Sequence, residues 1–369
     1  MTSVRGARLE RVQKRMAEAD VDVMLLSLGA DLPWLTGYEA MPLERLTMLV
    51  VPPDGLATLV VPELEAPRVD EEREVFRVRA WSEDLDPVQL VVGFACAGGS
   101  PRTVAVSDRT WAKFVLALQA AMPNPRWCSA ARVTGPLRAV KDDGEITALA
   151  EASAAADRVA AQLLAGDVPL VDRTEREVSQ DIARRLLAEG HEKVNFAIVG
   201  SGPNSASPHH EPGRRVIRPG EPVVCDFGGT MNGYCSDITR TVWTGEPTPE
   251  QRDLYRVLQE AQAAGVAAAR VGVSCEAVDD APRSIIAAAG YGEAFVHRTG
   301  HGIGLEEHED PYIVRGNHTA LKPGHAFSVE PGIYLKGRFG ARIEDIVVAT
   351  PEGPRALNQV SHDLTVVEA

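Results

Sequence analysis

Two carboxylates, Asp226 and Asp237, flank an Asn-Gly pair in the stretch VVCDFGGTMNGYCSDITRT, residues 223–241. Asn-Gly between β-prone residues is a strong signal for a two-residue type I′ hairpin, which pairs Met231 with Tyr234 and sets Asp226 opposite Thr239. Asp237 lies two residues back on the face that Thr239 shares, so the two acids project together as diagonal neighbours roughly 7 Å apart. Buried carboxylates at that spacing repel unless a cation lies between them; on a solvent-facing hairpin they are ordinary solubilising groups. Other segments raise the same question. HRTGHGIGLEEHEDP, residues 297–311, holds three of the nine histidines, while FSVEPGIY and ARIEDIVV place Glu330 and Glu344 inside apolar runs. Charged residues in such runs are rarely buried without a partner, and this many together favour convergence on one cation site. No HExxH occurs, so a mononuclear zinc site on one helix is not supported.

The elements that must position these groups fall into two parts. At 369 residues, with 44% hydrophobic and 24% charged residues, the chain has room for two domains. In the first part LERVQKRMAEADVDVMLL runs from helix into strand, TMLVV-PPDG-LATLVV is strand, turn, strand, and RTVAVSD and TWAKFVLALQAAM read as a further strand and helix. This is an α/β pattern without a catalytic cluster. Residues 134–145, TGPLRAVKDDGE, turn charged and loop-like ahead of a long Ala-rich helix, which places a boundary near residue 136 and domains at 1–135 and 136–369. The second part mixes helices with the strands that hold the His-Asp-Glu clusters. Thr248-Pro249-Glu250-Gln251 supplies an N-cap, a first-turn proline and a capping-box glutamine.

Charge and cysteine usage exclude several function classes. The net charge of −14, with no basic patch, argues against nucleic acid or anionic membrane as partner. No signal peptide or membrane span is read from the sequence, and five cysteines without a CxxC pair suggest reduced thiols in a cytoplasmic protein.

DFGG at Asp226, SDITRT at Asp237, GHGIGLxxHExP at His301, EPGIY at Glu330 and RIED at Glu344 resemble, in order and spacing, the dinuclear metallopeptidases of the pita-bread fold, the M24 type. That group includes methionine aminopeptidase, aminopeptidase P and prolidase. The resemblance covers the chain from about Pro136 onward. The first part is similar in kind to the smaller domain of the proline-specific members, with DLPWLTGY its most suggestive piece. The implied fold is an α/β, creatinase/prolidase-like N-terminal domain followed by an α+β pita-bread catalytic domain.

By resemblance the metal ligands are Asp226, Asp237, His301, Glu330 and Glu344. Four carboxylates offset four positive charges, and one imidazole suits Mn²⁺, Co²⁺, Fe²⁺ or Zn²⁺ better than Ca²⁺, with manganese the first choice. Two such ions about 3.5 Å apart hold a bridging water and deliver hydroxide to a peptide carbonyl. The resemblance further gives His209 a substrate contact, with His210 as the alternative; His308 the stabilisation of the oxyanion; His297 the carbonyl or leaving-proline side; and Arg342 the orientation of carboxylates. Glu330 doubles as proton shuttle. The implied activity is hydrolysis of the Xaa-Pro bond of dipeptides or short peptides by a homodimer. Aminopeptidase P, methionine aminopeptidase and an inactive binding module are the alternatives. A dipeptidase needs a cation for the free carboxylate on proline, for which Arg342 and Arg298 are the candidates.

Overall fold

Short β-branched runs between turn residues build the first sheet of the computed structural model, which describes residues 3–367. Its strands are β1 (Val23–Leu26), β2 (Met48–Val51), β3 (Ala57–Pro62), β4 (Phe76–Trp81), β5 (Thr103–Val106) and β6 (Arg126–Ser129), in the order β4-β3-β2-β1-β5-β6. The β1, β2 and β3 neighbours are antiparallel, whereas β5 and β6 join β1 in parallel. The Pro-Pro-Asp-Gly turn sets Met48 opposite Val60, as its chemistry requires. Helices Val4–Glu18, Pro87–Ala95 and Ala112–Ala121 accompany the sheet; the first buries Leu9, Val12 and Met16, spaced three and four apart along one face. This α/β unit spans Met1–Arg138, and Ala139–Ala369 forms the second unit.

Residues 134–139, expected to be loop, instead continue a helix, Ala131–Ala139, that runs through Pro136. Burial outweighs the missing N–H of the proline. Val133 and Thr134 are buried, the Thr134 hydroxyl donates to the Ala130 carbonyl, and Arg138 forms a 2.9 Å ion pair with Asp31.

The second unit is α+β. Its helices are Asp143–Leu164, Glu175–Ala188, Pro249–Ala268 and Cys275–Ala288, and the first three start from capping boxes on Asp142, Thr174 and Thr248. One five-stranded sheet contains β7 (Lys193–Ser201), β8 (Pro222–Met231), β9 (Tyr234–Cys235) and β10 (Ile238–Trp243), with β18 (Thr365–Val366) beside β10. A second has the order β12-β11-β13-β16-β17, from β11 (Gly300–Gly302), β12 (Glu309–Ile313), β13 (Ala326–Val329), β16 (Asp345–Thr350) and β17 (Gly353–Ala356). The ribbon of β14 (Gly332–Leu335) and β15 (Phe339–Arg342) completes the unit. Among the described residues no helix is long and apolar enough to cross a membrane, and all five cysteines are free thiols.

Candidate metal centre

Breaks in these strands aim the charged side chains. The hairpin closes on Asn232 and Gly233, both at positive φ, and pairs Met231 with Tyr234 and Asp226 with Thr239. Asp226 is inside β8, but Asp237 falls in the gap between β9 and β10. Glu330 follows β13 immediately, and Glu344 lies between β15 and β16. His301 sits mid-β11, where the register to β12 shifts. Asp226 keeps its place in a regular strand, while an interruption re-aims each of the other four. Close backbone approach explains the neighbouring glycines. A Cβ on Gly228 would overlap the Ser236 carbonyl, and one on Gly300 the Ser328 carbonyl.

All nine residues selected from the sequence as ligands or catalytic groups line one cavity of about 490 Å³. Ligating atoms of Asp237, His301 and Glu344 lie within 4.8 Å of one another, a buried triad able to hold a metal ion. Glu330 Oε1 is 3.3 Å from His301 Nε2, and Asp237 Oδ2 is 3.7 Å from the same nitrogen. Asp226 turns to Arg342, whose Nη2 pairs with its Oδ2. Arg342 also donates from Nε to Thr239 Oγ1 at 3.0 Å, and Thr239 donates in turn to Glu344 Oε2 at 2.6 Å. Thr239 thereby couples the arginine to a second acid. The Oδ1 atoms of Asp226 and Asp237 are buried without a hydrogen-bond partner. Orphaned carboxylate oxygens beside an imidazole are the donor set a borderline divalent cation requires, so the residues fit such an ion.

The electrostatics agree with that fit. Burial, then Glu344 and Asp226, drives the Asp237 carboxyl well above its usual range; burial, then Glu330 and Asp226, does the same to Glu344. Glu330 is pushed up to about 7, by burial and then by Asp226. Protons must leave these groups before a cation takes their place. Affinity of the chelated protein for Mn²⁺ is therefore expected to rise with pH through about 7 and to weaken below it. Calorimetry in two buffers of different ionisation enthalpy should register release of about one proton or more at pH 6.5. Affinity constant from pH 6 to 8 would contradict this account.

The histidines are wired individually. His301 Nδ1 donates to the Gly302 carbonyl at 3.2 Å, leaving the Nε2 lone pair toward the acids. His308 packs against His301 with ring centres 3.9 Å apart and the planes tilted by 45°, and its Nδ1 accepts from Arg298 Nη2 at 3.3 Å, which leaves Nε2 to carry the proton. Burial, then Arg298, depresses the His308 pKa; burial, then His308, takes His301 to about 3; and burial, then Arg342, takes His297 to about 3. All three rings are neutral at pH 7. His297 donates from Nδ1 to the Arg298 carbonyl at 2.7 Å and accepts at Nε2 from the Tyr334 hydroxyl at 2.9 Å, so both its nitrogens are engaged. His209 reaches the cavity, whereas His210 turns away to Glu175.

Several cavity residues carry no signal in a single sequence. Phe196 and Ile198 supply apolar wall from β7, and Glu307 lines the same space. Tyr334 links His297 to Arg342 Nη1 at 3.0 Å, and only its place in EPGIY marked the segment. Arg298, by contrast a sequence candidate for the free carboxylate, has its guanidinium over Tyr312, 4.5 Å from the ring centre, and also contacts His308.

With this geometry in hand, residues 147–351 match the family described as metallopeptidase family M24, and residues 8–140 match the creatinase/prolidase N-terminal domain. A relative from Mycobacterium bovis, described as a probable dipeptidase PepE, is 46% identical over 368 residues, which cover 99% of this chain and 97% of the relative. The crystal structure of dipeptidase PepE from Mycobacterium ulcerans matches with a TM-score of 0.92 at 45% identity, over 100% of this chain and 99% of that one. A prolidase structure from Thermococcus sibiricus also reaches 0.92, at 34% identity and full coverage of both chains.

Proposed function

The chain belongs to metallopeptidase family M24, and from that premise we propose that it hydrolyses the Xaa-Pro bond of dipeptides with two divalent ions, manganese the first candidate. The observation that carries this reading is the convergence of Asp226, Asp237, His301, Glu330 and Glu344 on one cavity. These five residues would hold the ions. When bound, the ions supply a water activated at neutral pH and polarise the scissile carbonyl.

The remaining residues act around that centre. Neutral His308 offers its Nε2 proton to the carbonyl oxygen as charge develops there. Glu330 carries a proton to the proline nitrogen, which as a tertiary amide must be protonated to leave. Arg342, committed to Asp226, Thr239 and Tyr334, holds the acids in place. His297, engaged at both nitrogens, presents its ring as wall and steadies Tyr334. His209 contacts the peptide.

Arg298 supports the dipeptidase over the aminopeptidase. The Arg342 fork is consumed by protein partners, while Arg298, at the cavity wall, gives one bond to His308 and has its guanidinium carbon over the Tyr312 ring. Its other donors suit a carboxylate placed directly on proline. Ala-Pro is expected to be cut with a higher kcat/KM than Ala-Pro-Ala and far faster than Met-Ala. Arg298→Gln, which keeps a donor for His308 but no charge, should reduce kcat/KM for Ala-Pro by about tenfold or more and affect the tripeptide much less. A tripeptide cleaved as well as the dipeptide moves the assignment to aminopeptidase P, and a preference for Met-Ala moves it to methionine aminopeptidase.

A further inference from the structure

His209 reaches the cavity without a hydrogen bond of its own, so something else must fix where its ring stands. The loop that carries it leaves β7 at Ser201, passes through the short 3-10 turn Gly202–Ala206, and offers few apolar anchors. Its ends and middle are gathered by one side chain. Glu175, at the start of the helix Glu175–Ala188, is fully buried and accepts from Ser201 N at 2.9 Å, Ser201 Oγ at 2.7 Å, Asn204 Nδ2 at 3.0 Å, His210 Nε2 at 2.8 Å and Gly213 N at 3.4 Å. All five donors belong to residues 201–213, the segment that brings Pro208 and His209 to the cavity. Burial alone would raise the Glu175 pKa, but the bonds from His210 and Ser201 outweigh it and hold the carboxyl below its ordinary range. An ionised carboxylate with that many donors is a stiff anchor.

We infer that Glu175, acting through His210, is a positioning residue that fixes His209 for substrate contact. The adjacent histidines thus divide the work: His210 points inward and is held, and His209, one residue away, takes its place from that hold. The Pro208 carbonyl, which accepts from Arg342 Nη1 at 3.3 Å, ties the same loop to the arginine that contacts Asp226. The inference rests on the peptidase reading only in giving His209 a substrate to contact.

The test uses the full chain loaded with Mn²⁺. His210→Ala is expected to raise KM for Ala-Pro by about tenfold while kcat changes less than about threefold and metal content is unchanged. His210→Gln, which can still donate to Glu175, should recover much of the loss. The cost of His210→Ala should be smaller than that of His209→Ala and should vanish in the His209→Ala background, because a positioning residue has nothing left to position. Equal cost in both backgrounds, or a wild-type KM in His210→Ala, overturns the inference. Amide exchange over residues 201–213 reads the anchor without any substrate. Lost protection in His210→Ala supports it even if the wild-type chain cuts no Xaa-Pro bond, and unchanged protection overturns it. Glu175→Gln should behave like His210→Ala; should it fail to fold, the His210 variants still decide.

Discussion

Replacing Asp237 or Glu344 by alanine is expected to abolish peptidase activity, on the order of a thousandfold or more, while the metal-free protein keeps its fold. The loss follows from the several kcal/mol of charge stabilisation that a bound ion supplies, equivalent to about three powers of ten in rate. Retention of the fold follows from the electrostatics of the empty carboxylates. Asp237 and Glu344 are both driven far above their usual range by burial and by each other's neighbours, so in the ionised form each destabilises the metal-free protein. Removing one relieves that repulsion. At pH 7.5 the metal-free variants should therefore melt no lower than metal-free wild type. Wild type alone should gain strongly from added Mn²⁺, since a ligand at a hundred times its dissociation constant contributes about 2.7 kcal/mol. Elemental analysis and melting curves with and without the ion check both halves. Activity that survives exhaustive chelation, or an Asp237→Ala enzyme with wild-type turnover, would remove the metal centre from the reaction.

The part of this site that was legible in sequence is the part set by local geometry. Asn232-Gly233 fixed a turn type, the turn fixed a register, and the register put Asp226 across from Thr239. Charged residues in apolar runs made the acids conspicuous, and the family resemblance assigned them as ligands. Partner choice was not legible, because it depends on which strands the topology brings side by side. Asp226 meets Arg342 across 116 positions, and Glu175 meets His210 across 35. The same limit hid the contacts of Arg298 with His308 and Tyr312 and the link through Tyr334. Local signals also failed where burial overrode them. Pro136 reads as a break, yet the buried faces of Val133, Thr134 and Arg138 carry a helix through it. A similar override governs the strand gaps at Asp237, Glu330 and Glu344, which look continuous in sequence and are interrupted in the fold.

The His308→Ala variant should lose about a hundredfold or more in kcat, with normal metal content and little change in KM. Three features of its setting lead there. Arg298 occupies the Nδ1 lone pair, so the neutral ring keeps one proton, on Nε2, and that proton is free to donate. Burial and the nearby guanidinium depress its pKa below the ordinary imidazole value, which favours the neutral, donating ring at pH 7. The ring is also held against His301, 3.9 Å between centres, and the buried pair of Glu309 with Lys141, 2.5 Å apart, anchors the residue that follows it. A donor so prepared loses nothing to reorganisation when charge develops, and removal of one such donor costs about 3 kcal/mol. Because the bond strengthens only as the carbonyl oxygen becomes an oxyanion, the cost falls on kcat rather than on KM. His209→Ala should show the opposite division. Replacement of His308 by Gln, which retains an N–H donor, should recover part of the rate. A His308→Ala enzyme with wild-type kcat would exclude His308 from the oxyanion role, and a variant depleted of metal would instead mean that its ring supports His301.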